Sequence, residues 1–501
     1  MSTSSPRKAL NIKNINPHLL KAQYAVRGEL AQRSEVYRQQ LAAVNPPPSC
    51  SPSTALTDTE GAQQGGDKLP FDTVISANIG NPQQLDQKPI TFFRQVLSVL
   101  EYPALLEKEG LFPEDVRERA RVLLKEVGSV GAYSQSQGCL GIRRSVAKFI
   151  EARDGHPADP RDIFLTAGAS SGVNTLLNTL CSHPATGVLI PIPQYPLYTA
   201  TLALVNATPV PYLLDEATAW STDAKEIRSQ ISKAKAAGTD LKCLVVINPG
   251  NPTGATLTES VIEEVIALAA EEHLVIIADE VYQTNVYSGE FHSLKKVLRN
   301  MQKASPGVYD EVELVSFHSV SKGMVGECGH RGAYFELVGF DPEVQAQIYK
   351  LVSIGICPPV IGQCLVEMMV NPPAPGSPSY ELYQQEYNSI FEGLKLRSRA
   401  LHEAFGRMEG VECQDPLGAM YLFPTITIPT AAAKKAQEVG RPPDEYYCVR
   451  LLEATGICVA PGSGFGQREG EWHFRTTFLA PGVDWVARLE KFHKDFMNEF
   501  R

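Results

Sequence analysis

The chain has 501 residues, 43% of them apolar and 20% charged, which suffices for two domains with large buried cores. Its net charge of −10 and the lack of any extended basic run exclude nucleic acid as an expected partner, and no apolar stretch reaches the roughly 20 residues that a bilayer crossing takes. Ten cysteines stand without a C-x-x-C pair or zinc-ligand spacing, a pattern of reduced thiols in a cytosol-like compartment.

In chain order, Met1 to Lys13 carries one Arg, two Lys and several Ser, but not the apolar core of a secretion signal. Arg is too sparse there to favour a mitochondrial presequence, so the expected location is cytoplasmic, with the mitochondrion as the alternative. Asn45 to Lys68 is rich in Pro, Ser, Gly and Gln and reads as a surface loop or a disordered segment. Between about 100 and 370, strand-like apolar runs recur at Ile163–Thr166, Val188–Ile190, Val210–Leu213, Cys243–Ile247, Leu274–Ala278, Leu314–His318 and Ala333–Leu337. Seven such runs interleaved with helices predict a mostly parallel sheet covered on both faces, hence an α/β fold. The Pro-rich run Asn371 to Pro378 marks the exit from this large domain. Beyond 380 the pattern restarts with a long helix, strands near Gly418–Phe423 and Ile457–Val459, and a final helix from Trp485. There is no internal repeat.

Polar motifs follow the strands. Thr166-Ala167-Gly168-Ala169-Ser170-Ser171-Gly172 opens a helix expected over Val173 to Cys181, and its small residues would let an anion approach the helix N-terminus. Asn248-Pro249-Gly250-Asn251-Pro252-Thr253-Gly254 follows the run ending at Ile247, and Asp279-Glu280-Val281-Tyr282 follows Ala278. Between them Thr258 to Glu272 reads as an amphipathic helix, with Thr256 and Glu259 as a capping box. Strand, loop, helix, strand, loop is a parallel βαβ unit whose polar residues fall at the carboxyl ends of its strands. Open α/β sheets bind ligands at that edge.

The most pointed motif is Ser319-Val320-Ser321-Lys322-Gly323, with Arg331 nine residues on. A lysine alone in a Ser-rich loop is ordinarily solvated surface. With an arginine at that offset it suits an imine with a phosphorylated aldehyde, the amine on the carbonyl carbon and Ser319, Ser321 and Arg331 on the phosphate. Asp279 read by itself caps the next turn; opposite a pyridine nitrogen it would keep that nitrogen protonated.

At these residues the chain resembles the fold type I pyridoxal-phosphate aminotransferases, from about Asn16 to Arg501. The likeness is carried by Ser76-Ala77-Asn78-Ile79-Gly80, Pro358-Pro359-Val360-Ile361-Gly362-Gln363, Gly326-Glu327-Cys328-Gly329-His330-Arg331-Gly332, and the run Pro461 to Gly470. The last two runs are similar to the branch of the family that uses alanine. The resemblance implies a fold of two parts. Residues 100–370 would form a large domain around a mostly parallel seven-stranded sheet, and 371–501 a smaller α+β domain. Ahead of these, 1–44 would be an N-terminal arm and helix, 45–69 a Pro/Ser/Gly-rich loop, and 70–99 a segment joining the small domain.

Pyridoxal 5'-phosphate is the implied cofactor. Lys322 would form its Schiff base and shuttle protons; Asp279 would hold the ring nitrogen, and Tyr282 and Asn251 the phenolic oxygen. Tyr195 would stack on the ring, while Ala169, Ser170, Ser319, Ser321 and Arg331 would bind the phosphate. Tyr133 would reach the phosphate of a partner subunit, making the expected assembly a homodimer with shared sites. Arg475, in Trp472-His473-Phe474-Arg475-Thr476-Thr477, would anchor the substrate α-carboxylate, braced by Asn251 and by backbone near Gly80. The implied reaction exchanges amino groups between alanine/pyruvate and glutamate/2-oxoglutarate in two alternating half-reactions. A β-lyase or an aminocyclopropane-carboxylate synthase would keep the same cofactor residues. A regulator on this fold would carry a basic winged helix ahead of it, and the first hundred residues contain none.

Overall fold

The structure is a computed structural model, and it describes residues 9–22, 28–44 and 69–501. The loop expected over 45–69 lies outside these residues except for Leu69, as does the opening stretch up to Lys8. Two compact units are present: one comprises residues 81–393 and 416–419 with 9–22, the other 28–44, 69–80, 394–415 and 420–501.

The larger unit is built on seven strands, β1 (Ile163–Thr166), β2 (Thr186–Ile192), β3 (Thr208–Leu213), β4 (Asp240–Ile247), β5 (Val275–Asp279), β6 (Leu314–Ser319) and β7 (Ala333–Val338). Each expected run lies on one of them. They form one sheet in the order β1-β7-β6-β5-β4-β2-β3. Only β7 runs antiparallel to its neighbours; the remaining pairs are parallel. All residues of β1, β5, β6 and β7 are buried. Strands covered on both faces have no polar side to alternate with, so they read as unbroken apolar runs.

The helix Glu259–Glu272 shows how the faces are covered. It buries Ile262, Val265, Ile266, Leu268 and Ala269 in one cluster with Leu244, Val246, Ile276 and Ala278 of β4 and β5. Each large side chain in that layer contributes about 1.5–3 kcal/mol by leaving water. The helix is capped by Thr258, whose hydroxyl accepts from the Val261 N–H at 3.4 Å, and not by the expected Thr256–Glu259 box. Thr258 has the extended backbone an N-cap needs, and Thr256 lies a further two residues upstream. The helix expected from Val173 spans Ala169–Leu180, so Ala169 and Ser170 are its first turn and not a preceding loop.

The unit boundaries differ from those expected at 99/100 and 370/371. Phe92, Phe93, Val96 and Leu97 of the helix Thr91–Glu101 lie in the same core as Ile142, Val146, Leu365 and Val366. That packing draws residues 81–99 into the larger unit. The Pro-rich run 371–378 is likewise internal to it. Ser379 donates from its N–H and hydroxyl to Asp115 (2.9 Å each), Glu386 accepts the Thr91 N–H at 2.8 Å, and Tyr383 lies 6.0 Å from Phe93, ring to ring. The helix Tyr380–Phe405 therefore starts in the larger unit and passes into the smaller at Gly393/Leu394.

In the smaller unit Phe474–Thr477 is the middle strand of an antiparallel three-stranded sheet, between Tyr421–Leu422 and Ala460–Pro461. The strands expected near 418–423 and 457–459 are each only two residues long. Ile75–Ser76 pairs in parallel with Ile457–Cys458. The final helix, Asp484–Glu499, packs Phe492 and Phe496 against Tyr447. Among the described residues, no helix is long and apolar enough to cross a membrane.

Candidate active site

The last residue of β5 is Asp279, buried at the carboxyl edge of the sheet. Its Oδ2 accepts a 2.8 Å hydrogen bond from the Tyr198 hydroxyl, which is buried in the first turn of the helix Leu197–Val205. Oδ1 is buried and makes no hydrogen bond of normal geometry. Burial pushes this carboxyl above its ordinary range, opposed by hydrogen bonds from Tyr198 and the Val281 backbone and by the charge of Lys322. A buried carboxylate in that state favours a cationic N–H donor beside its open oxygen. Tyr198 was not among the expected site residues. It stands one residue into the helix that follows Tyr195 and Pro196, and nothing in that run set it apart from an ordinary core tyrosine.

Lys322 stands in the turn after β6, its Nζ 5.8 Å from the centroid of the buried Tyr282 ring. Its backbone is held from both sides. The Lys322 carbonyl accepts from the Gly326 N–H at 3.2 Å, and the next N–H, that of Gly323, donates to Asn285 Oδ1 at 2.9 Å. Gly323 has φ of 66°, and a Cβ there would lie 2.5 Å from Thr284 Oγ1, so the turn requires glycine on two counts. Asn285, fully buried, is a second positioning group that sequence alone did not signal. Asn251 is buried at the carboxyl end of β4.

Arg331 and the start of the helix Ala169–Leu180 meet directly. Arg331 Nη2 donates to the Ala167 carbonyl at 3.0 Å and to Ser170 Oγ at 3.4 Å, while Nη1 donates to the Cys328 carbonyl at 3.1 Å. Gly168 caps this helix with φ of 83°, and a Cβ on it would sit 2.0 Å from Nη2. Only glycine leaves room for the guanidinium beside N–H groups that have no intrahelical partner. An exposed guanidinium against a helix N-terminus is a cradle for a dianion.

Ser319 and Ser321 flank the start of the turn that carries Lys322. The buried Ser319 hydroxyl donates to the Gly332 carbonyl at 3.2 Å and accepts from the Ser321 N–H at 3.1 Å. It pins the turn, and its one proton can serve either Gly332 or a ligand. The Ser321 carbonyl accepts from the Cys328 thiol at 3.0 Å.

Tyr195 is half-buried beside Tyr198, and Tyr133 is 79% exposed. In the smaller unit Arg475 is only 1% exposed. Its guanidinium lies 4.2 Å from the Tyr421 ring centroid and 4.5 Å from that of Phe465, and Nη2 donates to the Asn78 carbonyl. Stacking on two rings orients the planar cation and strengthens its field. Gly80 is buried two residues beyond Asn78.

Residues 96–484 match the family described as aminotransferase class I and II, and the chain belongs to that family. Its members exchange amino groups between amino acids and 2-oxo acids with pyridoxal phosphate as cofactor. The mitochondrial alanine aminotransferase of Saccharomyces cerevisiae is 51% identical over 99% of this chain and 82% of its own length. A second protein of that yeast, titled inactive alanine aminotransferase, is 48% identical over 99% of this chain and 96% of its own. Overall identity thus does not separate a working chain from an idle one; the site must. Among solved structures, an alanine aminotransferase from Pyrococcus furiosus superposes with a TM-score of 0.72 at 23% identity, covering 96% of this chain and all of that one, which is a likeness of fold.

The residues present fit the cofactor. The open Oδ1 of Asp279 awaits a cationic ring nitrogen, the Gly168–Ser170 turn and Arg331 suit a phosphate, and Lys322 is the amine beside them.

Proposed function

We propose that the chain is an alanine aminotransferase exchanging amino groups between L-alanine and 2-oxoglutarate, with pyruvate and L-glutamate as products. The observation that carries the reading is a buried Asp279 that feels the charge of Lys322 and whose Oδ1 makes no hydrogen bond of normal geometry. When bound, pyridoxal phosphate supplies an electron sink for the charge that develops at the substrate Cα.

The chain's own residues do the rest. Asp279, steadied by Tyr198, holds the ring nitrogen protonated through Oδ1. Arg331 and the N–H groups of Ala169 and Ser170 hold the phosphate dianion, and the Ser319–Ser321 turn fixes their distance from Lys322. Tyr282 and Asn251 would hold the ring's phenolic oxygen, and Tyr195 would pack against the ring. Lys322 Nζ takes the proton from the substrate Cα and returns one on the other side of the exchange. Arg475, oriented by its two rings, receives the α-carboxylate, with backbone near Gly80 alongside.

Two finer assignments belong to the same reading. The exposure of Tyr133 supports a homodimer in which that ring completes the partner's phosphate site. The unpaired cysteines support a reducing compartment, the cytoplasm. Several relatives carry "mitochondrial" in their names, so organelle fractionation is the measurement that decides between the two.

The test of the whole is an absorbance spectrum of the purified protein before and after L-alanine, with pyruvate measured alongside. Loss of the cofactor band with pyruvate appearing is expected. A colourless protein overturns the reading; a coloured one that yields no pyruvate from L-alanine, yet releases pyruvate and ammonia from an amino acid with a leaving group on Cβ, belongs to a lyase.

A further inference from the structure

The turn between β6 and β7 carries both Lys322 and Arg331, and at its centre is a carboxylate in the wrong place for a surface loop. Glu327 is buried. Arg94, from the helix Thr91–Glu101, grips it with two bonds, Nε to Oε1 at 2.8 Å and Nη2 to Oε2 at 2.9 Å. The Nδ1–H of His330 donates to the same Oε2 at 3.0 Å, and Gln83 Oε1 accepts from Arg94 Nη2 at 2.8 Å. Burial pushes the Glu327 carboxyl up, but His330 and Arg94 more than reverse this and leave it below its ordinary range.

Everything bonded to Glu327 bears on the turn. Its N–H donates to the Val320 carbonyl at 2.8 Å, and its carbonyl accepts from the His330 N–H at 3.1 Å. Gly326 beside it has φ of 60°, and a Cβ there would lie 2.5 Å from Gln87 Nε2, which itself donates to the Met324 carbonyl at 3.1 Å. Four residues after Glu327, Arg331 adopts left-handed backbone (φ 54°), which is costly for a residue with a Cβ and persists only where neighbours impose it. Buried ion pairs contribute little net stability, whereas they do select one conformation over others.

We propose that Glu327 is a positioning residue for cofactor retention: held by Arg94 and His330, it keeps the turn in the one shape that aims Arg331 at the phosphate and Lys322 at the ring. The proposal rests on the cofactor reading above and adds the residues that preset the grip.

The test is a titration of cofactor-free protein with pyridoxal phosphate, read by absorbance and by borohydride fixation at Lys322, together with the melting temperature of the cofactor-free form. Glu327→Gln keeps size and removes charge; cofactor affinity is expected to fall about tenfold to a hundredfold, the effect of losing a hydrogen-bonded charge. Arg94→Gln should weaken affinity similarly, and the double variant no further than Glu327→Gln alone. Unchanged affinity with a lowered melting temperature overturns the proposal, as does a double variant whose loss is the product of the two. Should Glu327→Gln not fold, Arg94→Gln carries the test, because its side chain is 43% exposed. A wild-type protein that takes up no borohydride label fails earlier, removing the cofactor reading itself.

Discussion

Asp279 and Glu280 are consecutive, both buried and both pushed upward by burial, yet they serve regions of opposite character. The cation that acts on Asp279 is Lys322, partly exposed in its turn. Glu280 faces cations already engaged. Arg153 donates to both oxygens of Asp154 at 2.7 Å and to Gln283 at 2.8 Å, and Lys295 pairs with Glu336 at 2.5 Å. Glu280 Oε1 accepts the Leu294 N–H at 2.8 Å, tying β5 to the start of the helix Leu294–Ala304.

Orphaned buried atoms do not tell the two regions apart. Glu280 Oε2, His318 Nδ1 and Tyr334 Oη lack hydrogen-bond partners just as Asp279 Oδ1 does. Charge balance does tell them apart. Two cations against the carboxylates of Asp154, Glu280 and Glu336 leave one negative charge over, and Glu280, pushed up to about 8, sheds it by holding a proton. His318 stays neutral, pushed down to about 3 by burial and by Arg153. The second region neutralises itself, whereas at Asp279 burial is opposed by the Tyr198 hydrogen bond and the charge of Lys322.

Substitutions can break or sharpen this contrast. Lys322→Ala should have the largest effect, lowering turnover by about 10⁴-fold or more and abolishing borohydride fixation. Retained turnover would show that the proton passes elsewhere. Asp279→Ala should slow the reaction about a hundredfold to a thousandfold and weaken cofactor binding; a wild-type rate would strip Asp279 of its role. Tyr198→Phe removes one bond to a charged carboxylate, so a loss of about tenfold is expected in steady-state assays. An effect as large as that of Asp279→Ala would mean that the ring itself contacts the ligand.

Glu280→Gln should change activity least, by less than about threefold, and act on stability. The sign follows from linkage: a carboxyl whose folded pKa lies above its unfolded value favours the folded state at low pH. Wild-type stability from this group is therefore lost as pH rises from about 4.5 toward about 8. Denaturant midpoints of Glu280→Gln across that window should be flatter with pH than wild type. Parallel curves would show that Glu280 is ionised throughout, and the contrast with Asp279 would fail.

How much of this was legible follows from range. The strands announce themselves because those covered on both faces are largely apolar, with only isolated polar residues such as His318 and Glu336. The residues that bear chemistry follow them directly: Asn251 after β4, Asp279 ending β5, and Lys322 after β6. The partners that set those residues are far away in the chain. Tyr198 stands 81 positions before Asp279, and Arg94 stands 233 before Glu327. The use of the Ser319 hydroxyl on Gly332 was likewise hidden, since a Ser next to a Lys looks the same whether it faces a phosphate or a carbonyl. The unit boundaries near 80 and 393 were missed because packing of Phe93 and Tyr383, not the Pro-rich run, decides them.

By itself the order of residues determined the strand set and which polar residues follow the carboxyl ends of its strands, because these depend on periodicity and on neighbours a few positions apart. Which oxygen of Asp279 stays open, which turn conformation Arg331 adopts and which of two adjacent acids keeps its proton were decided only by the folded chain. Each depends on burial and on charges brought close from hundreds of residues away.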